Sequence, residues 1–345
     1  MLEPHVWSNL LVLVLVSGAI LAGLAARRSD LWRDAARGLV RRRPLALAVV
    51  GVYVGVALLD SVAWVGGGGA DSPGADRLAR HEARSAIDRL FPLDFGERSY
   101  SAPLAAVEFY GAAPLHHPGR HLLGTDILGR DVVHQTLKGA RVALLIGGLT
   151  SLIAIPLALL FGVAAGYYGG RVDDAVFFVI SVLASIPSLL LLIVLIMVMG
   201  RGSVQVCIAL GITGWVGFCR LVRGETLKLR ELDYVQAARA LGAGDRRILL
   251  HHVVPNLLHL VVITFVLTFS GLVLSEATLS WLGIGIQGSW GQMIDQARDE
   301  LSREPVVWWS LGAAATALFG LILAVNFVGD AVRDVLDPRT LRERR

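Results

Sequence analysis

The residues able to do chemistry in this chain are few, and their spacing argues against an active site. Neither Lys138 nor Lys228 closes a Gly-x-x-x-x-Gly-Lys run, so the chain has no phosphate-cradling loop of that type. Gly283-Ile-Gly285-Ile-Gln-Gly288 matches a dinucleotide-binding pattern. That pattern works only after a soluble strand and before a helix, and here it follows a long apolar run. His116-His117 and His251-His252 are adjacent pairs, which point in different directions on a helix and cannot share a metal. Cys207 and Cys219 lie twelve residues apart in one apolar run, too far along a helix to bridge. The remaining candidate is Glu276, an ionisable group late in an apolar segment, a place where such a group marks a functional site by default. No catalytic residue, metal ligand or bound cofactor is expected.

What positions these residues is a membrane. The chain has 345 residues, of which 54% are hydrophobic and 17% charged, against about a quarter charged in soluble domains. The apolar residues come in uncharged runs of about 18 or more, long enough to cross a hydrocarbon core of about 30 Å. Lipid gives the backbone no hydrogen-bond partner, so unbroken apolar runs without alternation must be helices. The fold class is therefore all-α, a polytopic transmembrane bundle. Seven spans are expected, at 8–26, 44–65, 142–168, 175–200, 203–220, 256–283 and 306–329. Pro156 and Pro187 should kink the third and fourth. Gly51 and Gly55, and Gly162, Gly166 and Gly170, form small-xxx-small steps suited to tight helix packing.

Basic residues orient the bundle. Segment 27–43 carries seven Arg against two acids, 220–252 carries seven basic residues, and five follow Asp330. Arg201 and the loop 284–305 supply three together. The positive-inside rule then places the N-terminus outside and the C-terminus in the cytoplasm. The same bias explains a net charge of +4 without a nucleic-acid partner. The first nine residues lack Lys and Arg, which favours a retained helix over a cleaved signal. Residues 66–138 fall outside, a stretch too long for a connector. It opens on Gly66-Gly67-Gly68-Gly69, and 75–90 have a helical composition.

Between the fifth and sixth spans lies a cytoplasmic loop with an ordered pattern. Asp233 can cap or complement a helix start. Leu232, Val235, Ala238 and Leu241 fall on one helical face. Gly242 and Gly244 permit the left-handed turn that ends a helix, and Pro255 can open the next span. An amphipathic helix rich in small residues, held between two spans, suits a groove on another protein or a membrane surface.

The residues of this loop resemble a known family. Gln236-Ala237-Ala238, then Gly242, then Pro255 thirteen residues later is similar to the EAA loop of ABC-importer permeases, with Gln where that loop begins with Glu. Leu123-Gly124-Thr125-Asp126-Ile-Leu-Gly129-Arg130-Asp131 resembles the segment before the core spans in the dipeptide, oligopeptide and nickel permeases. Asp173, Gly283-Ile-Gly285, Ser289-Trp290-Gly291 and Gly329-Asp330-Ala-Val-Arg333-Asp334-Val-Leu-Asp337-Pro338 agree with it. The likeness is to the second, "C"-type permease of a heterodimeric pair. Residues 1–43 (an extra helix and basic linker) and the enlarged loop within 66–138 depart from it. Residues 44–65 are then the next span, 139–330 the core with its coupling loop 221–255, and 331–345 a cytoplasmic tail.

The resemblance implies an inner-membrane subunit of a bacterial importer for peptides or a related small solute. Its partners would be a second permease, two ABC ATPases that hold ATP and Mg, an external solute-binding protein and membrane lipid. Asp233, Gln236, Ala237, Ala238, Arg239, Leu241, Gly242 and Pro255 would form the ATPase-coupling surface, and a charged replacement of Ala238 or Gly242 should uncouple ATP hydrolysis from uptake. Gly124, Thr125, Asp126, Gly129, Arg130 and Asp131 carry the family motif, and Glu276 is the candidate pathway residue. A secondary transporter or channel acting alone is the rival reading; internal inverted repeats would favour it, and none is evident.

Overall fold

A computed structural model describes residues 38–64, 84–91, 96–111, 113–200 and 202–336. The expected span 8–26 and all of 66–83 lie outside the described residues, as do Asp337 and Pro338. Five helical stretches are long and apolar enough to cross a membrane: Pro44–Ser61, Val132–Tyr168, Ser203–Arg230, Asp245–Trp281 and Trp309–Asp334. A bent pair, Gly170–Ser185 and Ser188–Met199, makes a sixth if counted as one. In chain order the elements are α1 (Pro44–Ser61), β1 (Ala63–Trp64), β2 (Arg84–Ser85), α2 (Ala86–Leu90), α3 (Val132–Tyr168), α4 (Gly170–Ser185), α5 (Ser188–Met199), α6 (Ser203–Arg230), α7 (Asp233–Ala240), α8 (Asp245–Ile248), a π-turn (Leu249–Val253), α9 (Val254–Trp281), α10 (Trp290–Glu300) and α11 (Trp309–Leu336).

Close packing divides the chain into two compact units, one of residues up to Leu144 with Ser280–Ala331, the other of Leu145–Leu279 with residues from Val332. In the first, α1 stops at Ser61 rather than 65. Backbone bonds of Ala63–Trp64 pair antiparallel with Arg84–Ser85, so residues 84–85 are strand and not part of a helix 75–90. Only Ala86–Leu90 is helical there, started by a capping box in which Ser85 and Asp88 exchange bonds. Tyr53 Oη donates to the Ala317 carbonyl at 2.8 Å, and its ring meets Trp290 edge-on at 5.8 Å.

The second unit is built around a buried cluster on α3, α4, α6, α7 and α9 that includes Val163, Ile180, Trp215, Phe218, Val222, Val235 and Leu257. Two of the expected glycine steps operate here. A Cβ on Gly162 would lie 2.8 Å from Val222, and one on Gly166 would lie 2.7 Å from the Cβ of Thr226. Gly170 is not part of that seam: it begins α4 at φ +48 and a Cβ there meets nothing within 4 Å. A Cβ on Gly51 or Gly55 likewise meets nothing within 4 Å among the described residues.

Two helices extend well beyond their apolar runs. α3 begins ten residues before 142, and α6 runs ten residues past 220, because hydropathy marks lipid and not where the hydrogen-bond ladder ends. The fourth span is two helices bent by 90°. Ile186 before Pro187 is extended at φ −96, ψ 130, as a residue preceding proline prefers. Pro187 thus breaks the span outright, whereas Pro156 stays within α3.

The glycine seam gives a first expectation. Gly166→Ala, whose new methyl meets backbone and Cβ atoms below 3 Å, should lower the purified chain's stability by about 1–3 kcal/mol. Gly217→Ala, where nothing lies within 4 Å, should leave it equal or up to about 1 kcal/mol higher. Thermal melts in one detergent compare them, and equal melts would mean the seam is not tight.

Candidate functional site

The loop between α6 and α9 forms a short helix closed at both ends. Leu232 is the N-cap of α7 at φ −73, ψ 143 and has no side-chain cap; Asp233 is the first helical residue, so of the two roles open to it capping is not the one it takes. Its charge still sits at the positive end of the helix dipole. At the other end Gly242 N–H reaches the Arg239 carbonyl and Ala243 N–H the Ala238 carbonyl, each at 3.0 Å. Together these are the two bonds of a Schellman turn, with Gly242 at φ +79 in the left-handed position. Gly244 is different. Its φ of −67 is ordinary, and it serves as the N-cap of α8.

The expected single apolar face divides in two. Val235 is fully buried and Ala238 packs against the core cluster. Leu232 is half-exposed and Leu241 is 88% exposed, because both lie in the flanking turns, where the helical phase no longer applies. Gln236, Ala237 and Arg239 are exposed alongside Leu241. The Gln236 amide donates to the Arg230 carbonyl at 3.0 Å and so satisfies an orphan carbonyl at the end of α6. A Glu there, ionised, would have no proton to give. Pro255 does not open a new span: Asp245–Trp281 is one helical path, with the π-turn Leu249–Val253 just before the proline. Val254 N–H bonds the Leu249 carbonyl five residues back. That wider turn accommodates a ring that would otherwise clash with the carbonyl four residues earlier.

Side chains absent from the expected set hold this helix in place. Arg230 Nη1 donates to the Gly166 carbonyl at 3.1 Å. Tyr167 Oη donates to Asp245 Oδ1 at 2.8 Å, and the Arg239 guanidinium lies 5.3 Å from the Tyr167 ring centroid. Asn256 Nδ2 donates to Tyr234 Oη at 3.1 Å. Arg223 pairs with Asp173 in a two-bond fork, 2.5 and 2.6 Å, across α4 and α6. The tandem Tyr167-Tyr168 at the end of an apolar run was the readable signal for the Tyr167 contact.

Residues 124–131 form a hydrogen-bonded knot at the start of α3. Asp126 Oδ1 accepts from Leu128 and Arg130 N–H at 2.9 and 2.8 Å, and its Oδ2 from Arg130 Nε and Gln135 Nε2, both at 2.9 Å. Thr125 Oγ1 accepts from Ser101 N–H at 2.7 Å and donates to the Ser99 carbonyl at 2.8 Å. Trp309 Nε1 donates to the Thr125 carbonyl at 2.9 Å. Gly124 and Gly129, both at φ +71, leave no room for a Cβ against Ser101 and Glu97. Asp131 caps α3 by accepting from His134 N–H at 3.0 Å. Its other oxygen faces His121 Nδ1 at 2.8 Å, while His121 Nε2 faces Glu97 at 3.3 Å. Gly283 and Gly288, both at φ +75, shape the turn into α10, which Ser289 caps. Glu276, only 3% exposed, is turned into the packing of its unit. Its neighbour Ser275 lines a cavity of about 250 Å3, with Ser151, Gly214, Phe218, Thr264, Thr268 and Gly271 among the other lining residues. The structure does not bring Glu276 into that lining.

Residues 158–342 match the family model described as "Binding-protein-dependent transport system inner membrane component". The chain belongs to that family. Among curated proteins it is 38% identical over 229 residues to the dipeptide transport system permease protein DppC of Bacillus subtilis, covering 64% of this chain and 70% of that one. To the oligopeptide transport system permease protein OppC of the same organism it is 36% identical over 222 residues, 64% of this chain and 72% of the relative. The glutathione transport system permease protein GsiD of Pectobacterium atrosepticum is 37% identical over 224 residues, with 64% and 73% covered. Among solved structures, an inward-facing form of the MetNI methionine ABC transporter aligns with a TM-score of 0.46 at 22% identity, covering 59% of this chain and 94% of that chain. Family membership favours a permease of a binding-protein-dependent importer over a transporter working alone.

The buried His121 site predicts a pH dependence. Burial alone would lower the His121 pKa, but the Asp131 and Glu97 carboxylates outweigh it and raise the value. Burial likewise pushes the Glu97 carboxyl up, yet the N–H groups of His116 and His117 and the His121 ring hold it below its ordinary range. A raised histidine contributes fully below its unfolded value of about 6.5 and loses that contribution as pH climbs through the folded one. The depressed Glu97 contributes above about 4.3 and loses it on acidification through its folded value. Melting temperature should therefore fall above pH 6.5 more steeply in the native chain than in His121→Gln. Parallel slopes would remove the charged histidine from the account.

Proposed function

We propose that this chain is the "C"-type permease of a two-permease ABC importer for peptides or a related small solute, in the bacterial inner membrane. The observation that carries the reading is α7. It is an eight-residue helix between two span-length helices, anchored on one side by Val235 and Ala238, with Ala237, Arg239 and Leu241 turned outward. A surface held this firmly, with an apolar tip, suits a cleft on an ATPase. Two such ATPase subunits would hold ATP and Mg, a second permease would complete the path, and an external solute-binding protein would deliver solute. The relatives' names, dipeptide and oligopeptide transport, support a peptide substrate. Seven crossings, with 8–26 as an added first span and the N-terminus outside, follow from the charge bias on this reading. The chain is then a conduit and not an enzyme.

The docking surface is tested where the fold does not depend on it. Ala238→Glu would disturb the core cluster as well as the partner, so Leu241→Asp is the cleaner variant. Tagged chain purified in mild detergent should recover a second permease and an ATPase, identified by mass spectrometry. Leu241→Asp should cut ATPase recovery about tenfold or more, the loss of one well-packed apolar anchor, and leave the second permease in place. ATPase recovery unchanged by that substitution would move the docking surface elsewhere.

Glu276 is the candidate ionisable group of the path. Glu276→Gln should slow uptake into proteoliposomes by about tenfold, the scale of one lost interaction with a charge, with ATPase recovery intact. Uptake at the native rate would remove Glu276 from the path.

A further inference from the structure

Helix α7 touches its unit in several places, and one of them meets both ends of the loop at once. Tyr167, next to last in α3, is 5% exposed. Its ring lies 5.3 Å under the guanidinium of Arg239, in the last turn of α7. Its hydroxyl donates at 2.8 Å to Asp245, the first residue of α8. Arg239 and Asp245 lie on either side of the left-handed turn at Gly242, so one side chain spans the turn from beneath. The residue before it, Gly166, accepts Arg230 Nη1 at 3.1 Å, which fastens the chain just ahead of α7 to the same helix end.

These contacts leave α7 little freedom to slide relative to the end of α3. Gly242, at φ +79, is the natural hinge of this turn, since a Cβ there meets nothing within 4 Å; the two backbone bonds of the turn and the packing of Ala238 and Ala243 also restrain it. Tyr167 blocks that hinge by holding the residues on both sides. Asn256 to Tyr234 is the only comparable side-chain bond from α7 to α9 among the described residues. It is exposed on both partners, whereas Tyr167 itself is buried.

We propose that Tyr167 is the positioning residue that makes the α7 turn rigid, so that displacement of α7 is delivered to α3 instead of being absorbed at Gly242. This rests on the importer reading, in which an ATPase moves α7. Without the Tyr167 contacts the ATPase would still bind and hydrolyse ATP, and the hinge at Gly242 would take up the stroke. Tyr167 is therefore a determinant of how much solute moves per ATP, separate from whether the partner docks.

The experiment compares Tyr167→Phe, Tyr167→Leu, Asp245→Asn and Asp245→Ala in the full complex reconstituted in proteoliposomes. Three quantities are read: ATPase recovered with the chain, ATP hydrolysis, and radiolabelled dipeptide taken up per ATP hydrolysed. Tyr167→Phe keeps the ring under Arg239 and loses the bond to Asp245. It should lower uptake per ATP about tenfold, the weight of one hydrogen bond to a charged group. Tyr167→Leu should lower it further. Asp245→Asn keeps an acceptor and should restore most of the ratio, while Asp245→Ala should match Tyr167→Phe. The double variant Tyr167→Phe with Asp245→Ala should be no worse than either alone, as for two partners in one contact. ATPase recovery should stay native throughout. A native ratio in Tyr167→Phe and Asp245→Ala, or a fall in uptake and hydrolysis by the same factor, overturns the proposal. Failure to recover any ATPase with the native chain would instead overturn the importer reading itself.

Discussion

Every helix that stops leaves carbonyls that must find partners outside its own ladder, and within lipid there is no water to supply them. Much of what distinguishes this chain from a bundle of apolar rods is the way those carbonyls are met. The end of α6 is satisfied by the amide of Gln236, the end of α7 by the two bonds of a Schellman turn, and the Gly166 carbonyl by Arg230. Because each donor belongs to the next element along the chain, or to one packed against it, satisfying a helix end also fixes where the following helix begins. The placement of α7 is thus a product of backbone chemistry as much as of the apolar contacts of Val235.

The same economy operates where α3 starts. Asp131 accepts from His134 to cap the helix and offers its second oxygen to His121, which in turn faces Glu97. A buried charge is costly unless paired and hydrogen-bonded, and here one imidazole is set between two carboxylates. The Gly124–Asp131 motif reads as an anchor for the first core helix. None of its side chains is needed to explain contact with a solute.

The spans among the described residues were legible because lipid imposes a length and a composition that no other environment requires. The short helix α7 and the turn that ends it were legible because Gly242 and the helix-forming run before it are local signals with local causes. What escaped reading was set by partners distant in sequence. Ser85 pairs with Ala63 across a long insertion, Arg230 reaches Gly166, and Tyr167 reaches Asp245. Hydropathy could not show that α3 and α6 run ten residues past the apolar runs, since a helix outside lipid needs no apolar residues. Gly51 and Gly55 show the converse case, a packing pattern with no packed neighbour among the described residues.

The π-turn at Leu249–Val253 has a consequence for the phase of α9. A turn that takes five residues per bond inserts about one residue into the helical count, and each residue of an α-helix is worth about 100° of rotation. Everything from Val254 to Trp281, Glu276 and the cavity-lining Thr264, Thr268 and Ser275 included, is therefore clocked round by about that angle relative to α8. A regular α-turn at those five residues would set α9 in a different rotation and would bring the Pro255 ring against the carbonyl four residues earlier. The wider turn and the proline thus fix together which face α9 presents.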